Sequence, residues 1–346
     1  MSRMTDPHPL DSSATVIVTS NSPPNPALKQ IASECLERTV PFIVIGDLSS
    51  PADFALDGCD FYGISRQLQT GFQSAKLLPT RHYSRKNLGY LLAIRNGSRL
   101  IIETDDDNFP RQDFWRSRQR SHRVPSLSAA GWVNVYSYFT ETQIWPRGLP
   151  LDEVRRQLPD FESLPALEVD CPIQQGLADE NPDVDAVFRL LFPLPLSFRR
   201  DRRVALAPGT WSPFNSQNTA WFPEAYPLLY LPSYCSFRMT DIWRSFVAQR
   251  IAWTNGWSLL FTEPDVYQER NEHNLMKDFA DEVSGYLHNR KIGETLDNLP
   301  LLPGPQNIGA NLLRCYEALI GLRLVDAQEI ALLEAWLDDL KALGAA

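Results

Sequence analysis

The sequence lacks any run of about 20 consecutive apolar residues, the length a membrane-spanning helix needs. Its amino end, residues 1–13, is polar and contains no apolar secretory segment. Both absences predict a soluble, cytoplasmic protein without a membrane span. Positive charge is also short, with 33 Lys and Arg against 42 Asp and Glu for a formal charge of −9. That balance argues against nucleic acid or an anionic membrane as partner, since neither would meet an overall excess of cation. Cysteine is sparse: Cys35, Cys59, Cys171, Cys235 and Cys315 are odd in number, scattered and free of any Cys-x-x-Cys pair. That pattern excludes a thiolate zinc site and argues against a disulfide scaffold. No internal repeat or low-complexity tract breaks the chain. What remains is ordinary globular composition, 43% hydrophobic and 22% charged over 346 residues, enough for about two domains or one large α/β domain with an extension.

The order of elements begins as α/β. Residues 1–13 read as a flexible tail. Thr15 to Thr19 is a β-rich run that can be buried on both faces, followed by a Ser-Asn-Pro loop and then Leu28, Ile31, Ala32, Cys35 and Leu36 at helical spacing. Phe42 to Ile45 is a second strand ending at Gly46-Asp47. Strand, helix and strand form a βαβ unit whose strand carboxyl ends are the usual ligand edge. Ser84 is placed to cap a helix that stops at Gly97, and Leu100-Ile101-Ile102 follows as another buried strand. Residues 110–232 predict a loop-rich stretch with antiparallel pieces. Helices are expected over 240–253 and 273–289, a strand over 257–261, and a terminal helical hairpin in which Asp326 and Glu329 resemble a capping box. The expected division is a domain over 14–290, split into a nucleotide-binding half at 14–110 and an acceptor half at 111–290, with a helical extension over 291–346.

The sharpest chemical signal is Asp105-Asp106-Asp107 directly after a buried strand. Neighbouring unit charges repel by about 1 kcal/mol per pair in water and by several times that where water is thinned. A hard divalent cation, Mn²⁺ or Mg²⁺, relieves that repulsion through carboxylate oxygens while keeping positions for phosphates and water. The alternative is an Asp-rich turn in solvent. Arg85 and Lys86 fall in the first turn of the helix expected after Ser84, where cations oppose the helix dipole by roughly 0.3–1 kcal/mol each. Free N–H groups and two cations at a helix start suit a phosphate; otherwise both charges are simply solvated. Asp47 ends the second strand on the same edge, placed to accept from a base or ribose or merely to cap a turn.

The segments Arg85 to Leu91 and Glu103 to Asn108 resemble the STELLO-type glycosyltransferase family and, more distantly, the reversibly glycosylated polypeptides that act as UDP-arabinopyranose mutases. The likeness continues at Ile144-Trp145-Pro146-Arg147-Gly148, at Asp183 to Ala186, at Pro213 to Thr219 and at Phe237 to Arg244. The resemblance implies a GT-A-like, Rossmann-type fold with a mixed sheet. It also implies a nucleotide-sugar donor, a UDP-sugar, and Mn²⁺ or Mg²⁺ held by the aspartate motif, with an unknown glycan or small molecule as acceptor. On this reading Asp47, Arg85, Lys86, Asn87, Asp105, Asp106, Gln217 and Asn218 hold the donor, while Asp105 and Asp107 hold the metal. From its place near a helix start, His273 is a further candidate for the metal or the diphosphate, the alternative being a helix cap or a packed ring. Relative to the plant pattern, neither a membrane anchor nor a further large domain is expected, and the plant proteins' association with cellulose synthase complexes is not carried over.

Asp241, assisted by Arg238, is the candidate base for an acceptor hydroxyl, with Asp183 and Asp185 as alternatives and inversion as the expected outcome. The competing account pairs Asp241 with Arg244 along one helix. Trp145, Trp211, Trp221 and Tyr226 could stack on sugars but belong more naturally to the core. Two other functions compete with glycosyl transfer: a nucleotide-sugar mutase, and a catalytically silent donor-binding scaffold.

Overall fold

The computed structural model describes residues 9–10, 12–269 and 274–345. In chain order the strands are β1 (Ala14–Thr19), β2 (Phe42–Ile45), β3 (Asp60–Tyr62), β4 (Leu100–Thr104), β5 (Asn108–Pro110), β6 (Ser121–Leu127), β7 (Gly131–Trp132), β8 (Ala166–Asp170), β9 (Ile173–Asp179), β10 (Val204–Leu206), β11 (Thr210–Trp211), β12 (Asn218–Trp221) and β13 (Leu259–Gln268). The α-helices are α1 (Pro26–Glu37), α2 (Ile64–Leu68), α3 (Ser74–Leu77), α4 (Lys86–Arg95), α5 (Ala186–Leu191), α6 (Thr240–Thr254), α7 (Leu275–Asp297), α8 (Ile308–Gly321) and α9 (Glu329–Ala342).

One large sheet runs in the order β3-β2-β1-β4-β12-β9-β13-β10-β6-β8, with β5 beside β13 and a separate pair β7-β11. The first four strands are parallel, as βαβ connections require. Beyond β4, β12 turns antiparallel, then β9 and β13 run parallel to each other. This is an α/β architecture built on one large mixed sheet.

The sequence explains the parallel half directly. β1, β2 and β4 are buried on both faces and correspondingly rich in Val, Ile and Leu, with Glu103 of β4 the buried charge among them. Asn25 caps α1 by accepting from Leu28 N at 2.9 Å, with Pro26 preset in the first turn. Helix α4 is buried nearly all round, and Gly89 makes that fit: a Cβ there would stand 2.7 Å from Ile17 Cγ2.

Several expectations require correction. Residues 1–8 and 11 of the expected tail lie outside the described residues, but Leu10 is buried and donates its N–H to Trp115 O at 2.8 Å, so the tail is anchored there. Helix α7 begins at Leu275, capped by Asn274, and runs through the boundary drawn at 290. Strand β13 continues past Phe261 because it re-pairs with β9 after an irregularity between Thr262 and Val266. The terminal hairpin, α8 and α9, packs into the same core as Ile17 and Leu91 through Leu312, Tyr316, Leu333 and Trp336. Glu329 does not close a capping box: it is buried, accepting from Tyr230 OH and from Ser233 and Tyr234 N–H groups. Asp339 of α9 accepts from Gln73 N and Ser74 N at 2.8 and 2.9 Å, capping α3 from the far end of the chain. Among the described residues, no helix is long and apolar enough to cross a membrane.

Candidate active site

After β1 the chain turns to β2 on one side, and after α4 it returns to β4 on the other. The carboxyl ends of β1 and β4 therefore diverge, the crevice where open α/β sheets bind ligands. The acidic motif lies there. Ser20 Oγ donates to Asp106 Oδ2 at 2.6 Å and Asn25 Nδ2 to Asp106 O at 2.7 Å, tying the β1 and β4 loops together. From the other half, Gln268 Nε2 donates to Asp107 Oδ1 at 2.8 Å and Glu269 N to Asp107 O at 3.1 Å.

Asp105 faces Lys86, whose Nζ lies 3.7 Å from Oδ1 while donating to Thr104 O at 2.9 Å and Ser216 O at 3.3 Å. Scarcity of water raises the Asp105 carboxyl, Lys86 opposes, and Asp107 and Asp106 raise it further, so that it is pushed up to about 8. Burial also raises Asp106, against the Ser20 hydrogen bond. The three carboxyls thus resist being ionised together, each neighbour's charge disfavouring the next. Among the described residues no group of three His, Cys, Asp or Glu side chains converges as a metal cage. Asp105 and Asp107 are a donor set of hard oxygens suited to a divalent cation completed by phosphate and water. His273 lies outside the described residues.

Across the cleft stands a group that sequence reasoning missed. Arg147, 6% exposed, donates through Nε and Nη2 to both oxygens of Asp183 at 2.8 Å, and through Nη1 and Nη2 to those of Asp241 at 3.0 and 2.9 Å. Tyr83 OH lies 3.1 Å from Asp241 Oδ1, and Ser216 N donates to Oδ2 at 3.2 Å. Burial alone would raise the Asp241 carboxyl, but the charge and hydrogen bonds of Arg147 outweigh it and hold Asp241 well below the usual range. Asp241 lines the cleft, yet a carboxylate so satisfied is a weak proton acceptor. The expected Asp241–Arg244 pair does not form: Arg244 is buried against Glu103 at 2.8 Å. Nor does Thr240 cap α6, being its first residue.

The other expected residues divide. Gln217 and Arg238 line the cleft with the acidic motif, and Arg238 Nη2 is anchored on Glu282 at 2.8 Å. Asp47 lines an adjoining pocket of about 500 Å³, but its two oxygens already accept from Leu48 N at 2.7 Å and His82 N at 2.9 Å. Arg85 and Lys86 are not solvated cations: both are buried, and Arg85 donates to Gln67 Oε1 and Leu78 O at 2.7 and 2.8 Å. Ser84 does not cap α4, since its hydroxyl pairs with Ser233 Oγ at 2.7 Å. Asn87 and Asn218 are not brought to the site. Asn87 exchanges hydrogen bonds with Leu231 at 2.9 Å, and Asn218 reaches Asp265 on the opposite face of the sheet. Asp185 caps α5 by accepting from Phe188 N at 2.7 Å and also takes the Trp145 Nε1–H. Trp145, Trp211, Trp221 and Tyr226 are core residues.

The cleft shared by Asp105–Asp107, Arg147 and Arg238 has a volume of about 390 Å³, within the range of small-molecule sites. Residues 238–346, which include Arg238 and Asp241, match the family model described as STELLO glycosyltransferases. The Arabidopsis thaliana protein "Probable glycosyltransferase STELLO2" is 28% identical over 331 residues, covering 87% of this chain and 41% of that protein. "Probable glycosyltransferase STELLO1" from the same plant is 31% identical over 236 residues, covering 62% and 30%. The chain therefore spans less than half the length of these curated relatives. Among solved structures, a crystal structure of a mycobacterial protein aligns with a TM-score of 0.40 at 9% identity, over 80% of this chain and 74% of that one. By sequence, the chain is similar to the STELLO glycosyltransferases, over residues 238–346 by the family model and over most of its length by the plant proteins.

Proposed function

We propose that this protein is a glycosyltransferase that moves a sugar from a nucleotide-diphosphate donor, a UDP-sugar, to an acceptor hydroxyl. The observation that carries this reading is the cleft in which Asp105–Asp107, at the carboxyl end of β4, face Arg147 and Arg238. Charge accumulates on the diphosphate as the bond to the sugar breaks, so a site for this chemistry needs preorganised positive groups along the leaving oxygens. Arg238 at the rim is the protein's own cation for that purpose. A divalent cation, Mn²⁺ or Mg²⁺, held by Asp105 and Asp107 would add charge neutralisation at the diphosphate. Lys86 keeps the acidic loop in place through Thr104 O and Ser216 O. Asp241 fixes Arg147 between two carboxylates, which makes it a positioning residue for the acceptor wall.

One observation favours a second reading. Inverting transfer calls for an acceptor-side base, and the low basicity of Asp241 leaves that post poorly served. A nucleotide-sugar mutase uses the same donor cleft without a separate acceptor. Incubation with UDP-sugars, with and without a panel of acceptors, separates the two. Glycosyl transfer releases UDP and yields a glycosylated product only when acceptor is present, whereas a mutase returns an isomeric UDP-sugar from donor alone. Neither product, with UDP still binding, would mark a silent scaffold.

A further inference from the structure

We propose that Phe237 is the stacking platform for the donor's nucleobase, which lies in the pocket between Asp47 and His82; the proposal rests on the nucleotide-sugar reading above. Phe237 is 46% exposed, unlike the core aromatics, and its ring lines both the acidic cleft and the adjoining pocket. The backbone explains its place. It begins a short 3₁₀ turn, Phe237–Met239, that carries Arg238 and leads into α6. Its ring meets the rings of His82 and Tyr83 edge to face, with centroids 5.1 and 5.0 Å apart. Those two rings are nearly parallel, at 8°. An exposed aromatic braced by two others is held in one orientation, and rigid aromatic surface costs little entropy when a flat ligand covers it.

The pocket also offers polar groups in search of a partner. Arg85 is 2% exposed and lines it, and its Nη2 is buried without a hydrogen-bond partner. Such a group is expensive to leave unpaired, and a ligand carbonyl would satisfy it. His82 Nδ1 accepts from Ser84 N at 3.1 Å, which leaves the other ring nitrogen, Nε2, to carry the proton in the neutral tautomer. Burial lowers the His82 imidazole to about 4, so it is neutral at pH 7 and acts as a single N–H donor. A planar ring bearing carbonyl acceptors, stacked on Phe237, meets both donors. A pyrimidine with two carbonyls has that pattern. Thr19, Asn21, Tyr83 and Asp106 are shared by the two pockets, so a ligand placed this way continues toward the acidic motif.

The test is calorimetry of UDP and of inorganic pyrophosphate, each with Mn²⁺, on the wild type, Phe237→Ala and Phe237→Trp. Stacking on one base contributes enough to change affinity roughly 5- to 100-fold. Phe237→Ala should weaken UDP by about that factor while pyrophosphate binds within about twofold of wild type, since the metal and phosphate contacts are untouched. Phe237→Trp should hold UDP within about threefold. Because the ring is on the surface, both variants should retain the wild-type circular dichroism spectrum. Unchanged UDP affinity in Phe237→Ala would overturn the proposal, as would equal weakening of UDP and pyrophosphate. Wild-type protein that binds pyrophosphate and not UDP would overturn the base pocket alone, and protein that binds neither would overturn the donor reading with it.

Discussion

At the scale of residues, the place of the acidic motif was legible because three adjacent aspartates directly follow a buried strand, and the carboxyl end of that strand opens on the cleft. Arg147 was not. A single arginine in Trp-Pro-Arg-Gly carries no charge pattern, and its partners lie 36 and 94 positions away at Asp183 and Asp241. Local spacing instead suggested Arg244 for Asp241, and long-range pairing won because Arg244 is turned inward to Glu103. Arg85 and Lys86 illustrate the same limit. Their position at a helix start is visible in sequence, but their burial against backbone carbonyls is not. Asp241→Asn follows from this geometry. It removes one of the two carboxylates holding Arg147, and should lower stability by about 1–3 kcal/mol in urea denaturation. If Asp241 positions Arg147, the variant's turnover falls while the acidic limb of its pH–rate profile stays where it was. A general base would take that limb with it.

At the scale of elements, the parallel half was readable because strands buried on both faces and a helix with one apolar stripe have distinct periods. The mixed half was harder. Strands β9, β12 and β13 are ordered by pairings distant in sequence, which local periodicity does not carry. Helix α5 shows how a site-like aspartate serves structure. Asp185 caps it while buried, and that burial raises its carboxyl to about 6 against the hydrogen bonds from Phe188 and Trp145. The folded protein therefore holds this proton more tightly than the unfolded chain, whose aspartate titrates near 4. Its contribution to stability is fullest below pH 4 and is lost as pH rises through about 6. Asp185→Asn, which cannot titrate, should flatten this part of the stability–pH curve by roughly 1–3 kcal/mol relative to wild type. Denaturation midpoints measured for both proteins from pH 4 to 7 check the difference, and parallel curves would show that Asp185 does not titrate in this range.

At the scale of the whole molecule, the terminal helices are part of the frame around the site rather than an appendage. Glu329 holds the backbone at Ser233 and Tyr234, and Ser233 in turn meets Ser84 beside Tyr83 and Arg85. Amphipathic spacing revealed that these helices exist but not where they dock, because docking depends on buried polar groups such as Asp339 that sequence patterns mark as surface. The central claim is that the crevice between β1 and β4 binds a nucleotide diphosphate through the aspartate motif. Calorimetric titration of UDP in the presence and absence of Mn²⁺, on wild type, Asp105→Ala and Asp107→Ala, tests it most directly. The account predicts that Mn²⁺ strengthens UDP binding to the wild type at least about tenfold and that this enhancement disappears in one or both variants, because phosphate and carboxylate share one cation. An equal enhancement in both variants, or no binding of UDP to the wild type under either condition, would contradict it.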